Sequence, residues 1–258
     1  MSPQTILVPL DTSETSTRSI RVAKALSRAA AADITLMTTR VVDDESAALL
    51  RLEKVAEQHN MIAPKFVTVS HWIPAEAILD LASDDPEMLV CMTTHSRSPA
   101  AALALGSVTS TVIHSMRQPF VLVGPSCQTL DSYATLLVAL DGSEHSAEIL
   151  PFAIEFAAAT GLRAQLVIVD DGHNVLAKNE SLRMEIEADF VEVEPALVLQ
   201  GDPGEALVEA TRATPNAIIA MATHGHSAMA RLVVGSVTSC VVQRGIAPVF
   251  TVRPKALA

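Results

Sequence analysis

The chain has 258 residues, 49 % of them hydrophobic, and a formal net charge of −11. It has ample apolar content for buried cores but no uninterrupted run of 18 apolar residues to span a membrane, and its acidity argues against a sequence-independent nucleic-acid binder, which needs clustered Lys and Arg against phosphates. Three widely spaced cysteines, Cys91, Cys127 and Cys240, supply neither a disulfide framework nor a zinc pattern. Buried thiols and a reducing cytoplasm are expected, and MSPQTILVPLD lacks the basic start, apolar stretch and cleavage site of a signal peptide.

QTILVPLD opens the chain with a run rich in Ile, Leu and Val that predicts a buried strand. The acidic-hydroxyl cluster Thr12, Ser13 and Glu14 suits a helix start, and Ile20, Ala23, Ala25 and Leu26 carry helical spacing onward. ITLMTTRVV reads as a second strand, Ala47–His59 as a charged helix and KFVTVSHW as a third strand. WIPAEAILDLAS places a proline in its first helical turn, where the missing N–H costs nothing. MLVCMTTH is almost wholly apolar, as expected of a strand covered on both faces. GSVTS (Gly106–Ser110) opens a last helix, and a final strand begins at Pro119, a position where strands tolerate proline.

The same order then recurs. ATLLVALD repeats the opening strand, Ser143 and Glu144 the helix start, and Ile149, Phe152, Ala153 and Phe156 the helical spacing. AQLVIV, a charged helix over roughly Leu176–Ala188, PALVLQG, GDPGEALVEATR, AIIAMATH, a second GSVTS (Gly235–Ser239) and a strand from Pro248 follow in turn. Ile6–Ser16 answers to Leu136–Ser146 at an offset of 130; Trp72–Leu79, Thr93–Ser98 and Pro119–Val123 answer to Gly201–Val208, Ala222–Ser227 and Pro248–Val252 at 129. Blocks held in one order and spacing mean a tandem duplication, with copy one over residues 1–128 and copy two over 129–258, each a usual domain size. Copy one carries 10 Lys/Arg against 13 Asp/Glu and copy two 8 against 16, so the acidity is concentrated in copy two.

Strands alternating with helices predict the α/β class, with a doubly wound parallel sheet in each copy. In such sheets ligands bind beyond the carboxyl ends of the strands, at the switch point. The apolar final strands VLV and FTV are the expected contacts of an intramolecular pseudo-twofold pair, because an isologous surface on one copy is matched on the other; the same logic leaves room for a homodimer of whole chains.

ATHGHSAMARLVVGSVTS concentrates the candidate chemistry. A strand ends at Thr223, a loop turns through Gly225, and Gly235-Ser236 starts a helix. Free N–H groups and the positive dipole end at a helix start favour an anion. Glycine lets a phosphate approach the backbone, and the Ser236 and Thr238 hydroxyls suit either helix capping or donation to phosphate oxygens. Taken alone, GSVTS is equally an N-cap before an amphipathic helix.

Gly225, nine residues and then Gly235-Ser236 form the latter part of G-x2-G-x9-G-(S/T), the nucleotide-binding signature of the universal stress protein family. ILVPLDTSE and LLVALDGSE, the Pro-Ala-Glu-Ala and Pro-Gly-Glu-Ala helix starts, the THS and THG strand ends and the closing PFVLV and PVFTV strands also resemble that family, so nearly the whole chain resembles a tandem member of it. The resemblance implies two Rossmann-like domains of the adenine-nucleotide alpha hydrolase-like kind, with ATP as the ligand, accompanied by Mg2+, and a role as a nucleotide-sensing regulator of the stress response. It places the adenosine end at Asp11 and Val41 in copy one and at Asp141 and Val169 in copy two, beside Pro9 and Ala139. It places ribose and phosphates along Ala222, Gly225, His226, Ser227 and Ala228, then Gly235, Ser236, Val237 and Thr238. The matching positions of copy one are Thr93, Ser96 and Arg97, then Gly106, Ser107, Val108 and Thr109. Copy two departs from the signature at Ala222; copy one departs at Thr93 and Ser96, and the Ser96 side chain is expected to crowd the phosphate path or forbid positive φ.

Other motifs are weaker. Asp11 and Asp141 serve equally well as loop-end caps of the following helix. THGH (Thr223–His226) is one residue short of the HxGH of nucleotidyl transferases, and His224 and His226 lack a spaced third metal ligand. No Walker lysine follows either GS, and no GxSxG is present for acyl transfer. Asp43-Asp44 and Asp170-Asp171 fit exposed turns or a divalent ion on the phosphates. The charged helix Glu45–Glu57 fits a solvated face or a surface for a regulatory partner. Efficient transfer chemistry needs a base, a cationic clamp and metal ligands, and Arg97 and Arg231 are only scattered candidates. A non-enzymatic nucleotide sensor is therefore expected ahead of a slow ATPase or nucleotidyl-transfer enzyme, or a nucleotide-free scaffold.

Overall fold

The computed structural model describes residues 2–11, 13–40, 45–70, 73–94, 106–170, 172, 175–223 and 235–254. Copy one runs β1 (Thr5–Pro9), a 3-10 turn (Glu14–Thr17), α1 (Arg18–Ala30), β2 (Asp33–Arg40), α2 (Glu45–Gln58), β3 (Lys65–Ser70), α3 (Pro74–Asp84), β4 (Met88–Thr93), α4 (Ser107–Ser115) and β5 (Phe120–Val123). Copy two runs β6 (Thr135–Leu140), α5 (Glu144–Ala147), α6 (Leu150–Thr160), β7 (Arg163–Asp170), α7 (Val175–Lys178), α8 (Glu180–Glu187), β8 (Val193–Gln200), α9 (Pro203–Ala213), β9 (Ala217–Ala222), α10 (Ser236–Arg244) and β10 (Val249–Val252).

These strands form one ten-stranded sheet in the order β3-β2-β1-β4-β5-β10-β9-β6-β7-β8. Within each copy neighbouring strands are parallel. At the centre β5 and β10, the VLV and FTV strands, pair antiparallel, with Phe250 opposite Val121. Every residue of β4, β5, β6, β9 and β10 is buried, which is why their sequences are continuous apolar runs without alternation.

The sheet is covered on both faces. One core gathers Ile20 and Leu26 of α1, Leu52 of α2 and Phe156 of α6. The other gathers Ile78 of α3, Val112 and Ile113 of α4, Val208 of α9 and Val241 of α10. Phe156 stacks on Phe250 with ring centroids 4.3 Å apart and planes 13° apart, joining α6 to the central strand pair. Pro74 and Pro203 both occupy the first turn of their helices.

The segment after β5 is fixed from both copies. Gly124 lies so close to α10 that an added Cβ would sit 1.7 Å from the Val242 carbonyl oxygen. Ser126 Oγ donates to the Gln243 carbonyl at 3.0 Å and Gln128 N to the Ile246 carbonyl at 2.7 Å. From α1, the Arg18 guanidinium donates to the carbonyls of Gly124, Pro125 and Cys127, and Arg21 forks onto the Asp131 carboxylate.

Two expectations need correction. The helix read over roughly Leu176–Ala188 is two, α7 and α8, because Asn179 (φ −119°, ψ 89°) leaves the helical region and turns its side chain to accept from Leu182 N, starting a new helix. Cys91 and Cys127 are buried, but Cys240 is only half-buried, since α10 turns it toward Gly204 of α9 and the surface.

Candidate functional site

In each copy the strand order reverses between the first and fourth strands: β2 and β3 lie to one side of β1, and β5 lies beyond β4. The pairs β1–β4 and β6–β9 are therefore the two switch points, where an open α/β sheet leaves a crevice at the carboxyl ends of its strands. The register of β1 on β4 sets Leu7 opposite Val90, and that of β6 on β9 sets Val138 opposite Ala220. Continuing each register brings Asp11 level with Thr94, and Asp141 level with Thr223.

Both aspartates build the same turn. Asp11 Oδ1 accepts from Ser13 N at 2.8 Å and Ser13 Oγ at 2.6 Å, and Ser13 Oγ accepts from Ser16 N at 3.3 Å. Asp141 Oδ1 accepts from Ser143 N at 3.0 Å and Ser143 Oγ at 2.6 Å, and Ser143 Oγ accepts from Ser146 N at 3.0 Å. The capping function is thus divided: serine caps the helical turn, and aspartate holds serine. Pro9 is the half-buried last residue of β1, paired with Met37; Ala139 and Val169 are buried in β6 and β7.

A closed neck joins each fourth strand to the helix opened by GSVTS. Thr94 and Thr223, one residue beyond β4 and β9, are both buried. The Thr94 carbonyl accepts from Gly106 N at 3.0 Å and from Thr109 Oγ1 at 3.3 Å. The Thr223 carbonyl accepts from Gly235 N at 3.0 Å and from Thr238 Oγ1 at 3.2 Å. From the other side, Thr94 N donates to the Val123 carbonyl and Thr223 N to the Val252 carbonyl, tying each neck to its copy's last strand. Thr93 and Ala222, the final residues of β4 and β9, lie within this clasp.

The neck corrects the expected role of two hydroxyls. Thr109 and Thr238 are buried and bond strand-end carbonyls, and neither α4 nor α10 has a side-chain cap. Gly106 and Gly235 are the N-caps at φ −58° and −50°, so positive φ is not why glycine stands there. Close approach is: a Cβ on Gly106 would lie 3.1 Å from the Thr94 carbonyl oxygen. Ser107 and Ser236 are exposed at the helix starts, and Val108 and Val237 pack against the core below. Each site end thus presents backbone N–H groups at a nine-residue helix start, an arrangement that suits an anion.

Val41, Ser96, Arg97, Gly225, His226, Ser227 and Ala228 lie outside the described residues, as do Asp43, Asp44, Asp171, His224 and Arg231. Asp170 forms a turn, with Oδ1 accepting from Gly172 N at 2.9 Å and Oδ2 from Gln200 Nε2 at 3.4 Å. Among the described residues no group of three or more His, Cys, Asp or Glu is placed to hold a metal ion, and no helix is long and apolar enough to cross a membrane. Sequence reasoning missed the carbonyls of Thr94 and Thr223 as the pivots of the necks; their one signal is the Thr-His pair standing at the same place in both copies.

The universal stress protein family model matches the chain twice, over residues 3–124 and 132–253. The chain belongs to the universal stress protein family. Among curated relatives of this universal stress protein is the "Universal stress protein in QAH/OAS sulfhydrylase 3'region" of Thermus aquaticus, 33 % identical over 138 residues, which are 47 % of this chain and 99 % of the relative. Among solved structures, a universal stress protein from Archaeoglobus fulgidus matches with a TM-score of 0.71 at 19 % identity, covering 98 % of this chain and 99 % of its own. A functionally unknown protein from Pseudomonas aeruginosa matches with a TM-score of 0.71 at 11 % identity, covering 99 % and 94 %. At such identities the structural matches establish the fold, here the α/β tandem.

Proposed function

We propose that this universal stress protein binds an adenine nucleotide, with ATP as the intended ligand, and acts as a non-enzymatic sensor whose occupancy alters what it contacts under stress. The observation that supports the reading is the duplicated switch-point construction: in each copy an aspartate turn follows the first strand and a glycine-started helix is tied by a hydrogen-bonded neck to the end of the fourth. Copy two is the stronger site on this reading, because it keeps Gly225 where copy one has Ser96. On this reading Mg2+ enters with the triphosphate.

Mass spectrometry of small molecules released from natively purified protein, followed by ATP titration and a turnover assay over hours, tests this. Stoichiometric adenine nucleotide with negligible turnover supports a sensor. Rapid, saturable turnover abolished by Asp141→Asn would replace it with an enzyme, and absence of both bound nucleotide and titratable binding would leave a scaffold.

A further inference from the structure

The helix pairs α3–α4 and α9–α10 are closed differently at their carboxyl ends. In copy two, Thr211 on α9 is buried; its Oγ1 donates to the Val208 carbonyl at 2.7 Å and accepts from Ile246 N at 3.2 Å. That hydroxyl ties α9 to the segment after α10. Copy one has Ala82 at the matching place on α3, with no hydroxyl to make the tie. There α3 and α4 leave a cavity of about 350 Å³, floored by Leu79, Ala82 and Met116 and rimmed by Ser83, Ser115 and Arg117. The Gln118 amide, on its wall, is committed to the Asp85 carbonyl at 3.1 Å. Because α3 leads into β4 and α4 into β5, this cleft opens at the amino ends of the strands, away from the switch points.

The rim carries both signs of charge. Arg117 makes no hydrogen bond or ion pair among the described residues. Across the cleft α3 ends at Asp84, followed by Asp85 in an extended conformation (φ −131°, ψ 98°) and by Pro86, which has no N–H. The last carbonyls of α3 therefore lack the backbone donors that commonly close a helix end, and the Asp84 carboxylate adds to the negative end of the dipole. A plain anion would meet that negative end, and a plain cation would meet Arg117. A molecule carrying both charges meets neither conflict. The cavity is near the small end of ligand pockets, roughly 300–1,000 Å³, so its occupant is small, and its buried floor asks for an aliphatic group.

We propose that the α3–α4 cleft of copy one binds a small free α-amino acid with an aliphatic side chain. Its carboxylate pairs with the Arg117 guanidinium, its ammonium donates to the last carbonyls of α3, and its side chain lies on Leu79, Ala82 and Met116. This stands independently of nucleotide binding. The test is an NMR titration of L-leucine into the full chain, read at the backbone amides. Two controls each carry one charge: 4-methylpentanoate lacks the ammonium and 3-methylbutylamine lacks the carboxylate. Leucine should saturate at one per chain and shift the amides of residues 79–84 and 115–118, with each control at least tenfold weaker. Arg117→Gln should weaken leucine at least tenfold. Ala82→Thr, which imports copy two's hydroxyl, should close the cleft and abolish binding without lowering the melting temperature. Arg212→Gln, on the exposed end of α9, should change nothing. Arg117 is solvent-facing, so its variant reports even if Ala82→Thr fails to fold. No saturable binding of leucine, equal binding of either control, full affinity in Arg117→Gln or in folded Ala82→Thr, or shifts confined to other residues overturns the proposal.

Discussion

The centre of the molecule and its two outer edges obey different rules. At the centre the copies are nearly interchangeable: the neck of Thr94 with Gly106 and Thr109 is repeated at Thr223 with Gly235 and Thr238, and the Asp11–Ser13 turn at Asp141–Ser143. Toward the edges the copies diverge in helix count, burial and charge. Buried backbone polar groups must be paired, so the hydrogen-bonded necks and turns tolerate little change. The edges meet water, which accepts many sequences. What duplication preserves is therefore the part whose polar groups have no alternative partner.

That contrast can be broken, most severely in the packing that is not shared. Phe156 and Phe250 stack in copy two where copy one has Leu26 and Val121. Phe156→Ala should cost about 4 kcal/mol in denaturant unfolding. The exchange Phe156→Leu with Phe250→Val, which imports copy one's pair, should cost less than the sum of its single changes, with a coupling of about 1 kcal/mol. A cost for Phe156→Ala below that of an ordinary surface change would mean the ring pair does not anchor α6 on the central strands.

Gly124 is next. Its backbone touches α10, and the matching position of copy two carries Arg253. Gly124→Ala should destabilise by about 3 kcal/mol through overpacking, whereas Gly161→Ala, at φ +67° with nothing within 4 Å, should lose only about 1 kcal/mol of conformational energy. Equal thermal shifts for the two would contradict the contact.

The necks sharpen the comparison from the other side. Thr109→Val and Thr238→Val each leave strand-end carbonyls short of a donor at nearly constant shape, a loss of about 1–2 kcal/mol. The two losses should agree closely, and Thr238→Val alone should also weaken nucleotide binding if copy two is the stronger site. Hydrogen exchange at Gly106 N and Gly235 N reads the necks directly.

The smallest effect is in alkali and belongs to copy one and the linker. Burial raises the Cys127 thiol to about 12 and pushes Cys91 and Tyr133 up as well. For acids raised on folding, the unfolded chain loses its protons first, so their contribution is full below about pH 9 and fades as pH climbs toward 12. Cys91→Ala with Cys127→Ala should flatten the fall in melting temperature above pH 9. An unchanged slope would mean these thiols are not the groups that titrate.

Most of the centre was legible from sequence, and for a physical reason. MLVCMTT and AIIAMAT announce strands buried on both faces, Pro74 and Pro203 mark helix starts, and the repeated blocks reveal the order of both copies. The illegible features depend on contacts far along the chain. Nothing near Arg18 in the sequence marks it, yet it holds carbonyls more than 100 residues away. Thr238 reads as a cap or a phosphate donor, and only the placement of the β9 end commits its hydroxyl to a carbonyl. The break at Asn179 was hidden because helical periodicity continues across it, whereas the bulge at β8 falls at Pro195, a residue that strands admit at edges and bulges.

The central claim is that the duplicated construction binds an adenine nucleotide, and more tightly in copy two. Calorimetric titration of ATP into the wild type, Gly225→Ser and Ser96→Gly tests it most directly. If Gly225 takes positive φ, an added Cβ there costs about 1 kcal/mol before any clash with phosphate, and affinity changes tenfold per about 1.4 kcal/mol. Gly225→Ser should lose several-fold to a hundredfold in affinity, and Ser96→Gly should gain or strengthen a second site; identical isotherms for all three proteins would contradict the account.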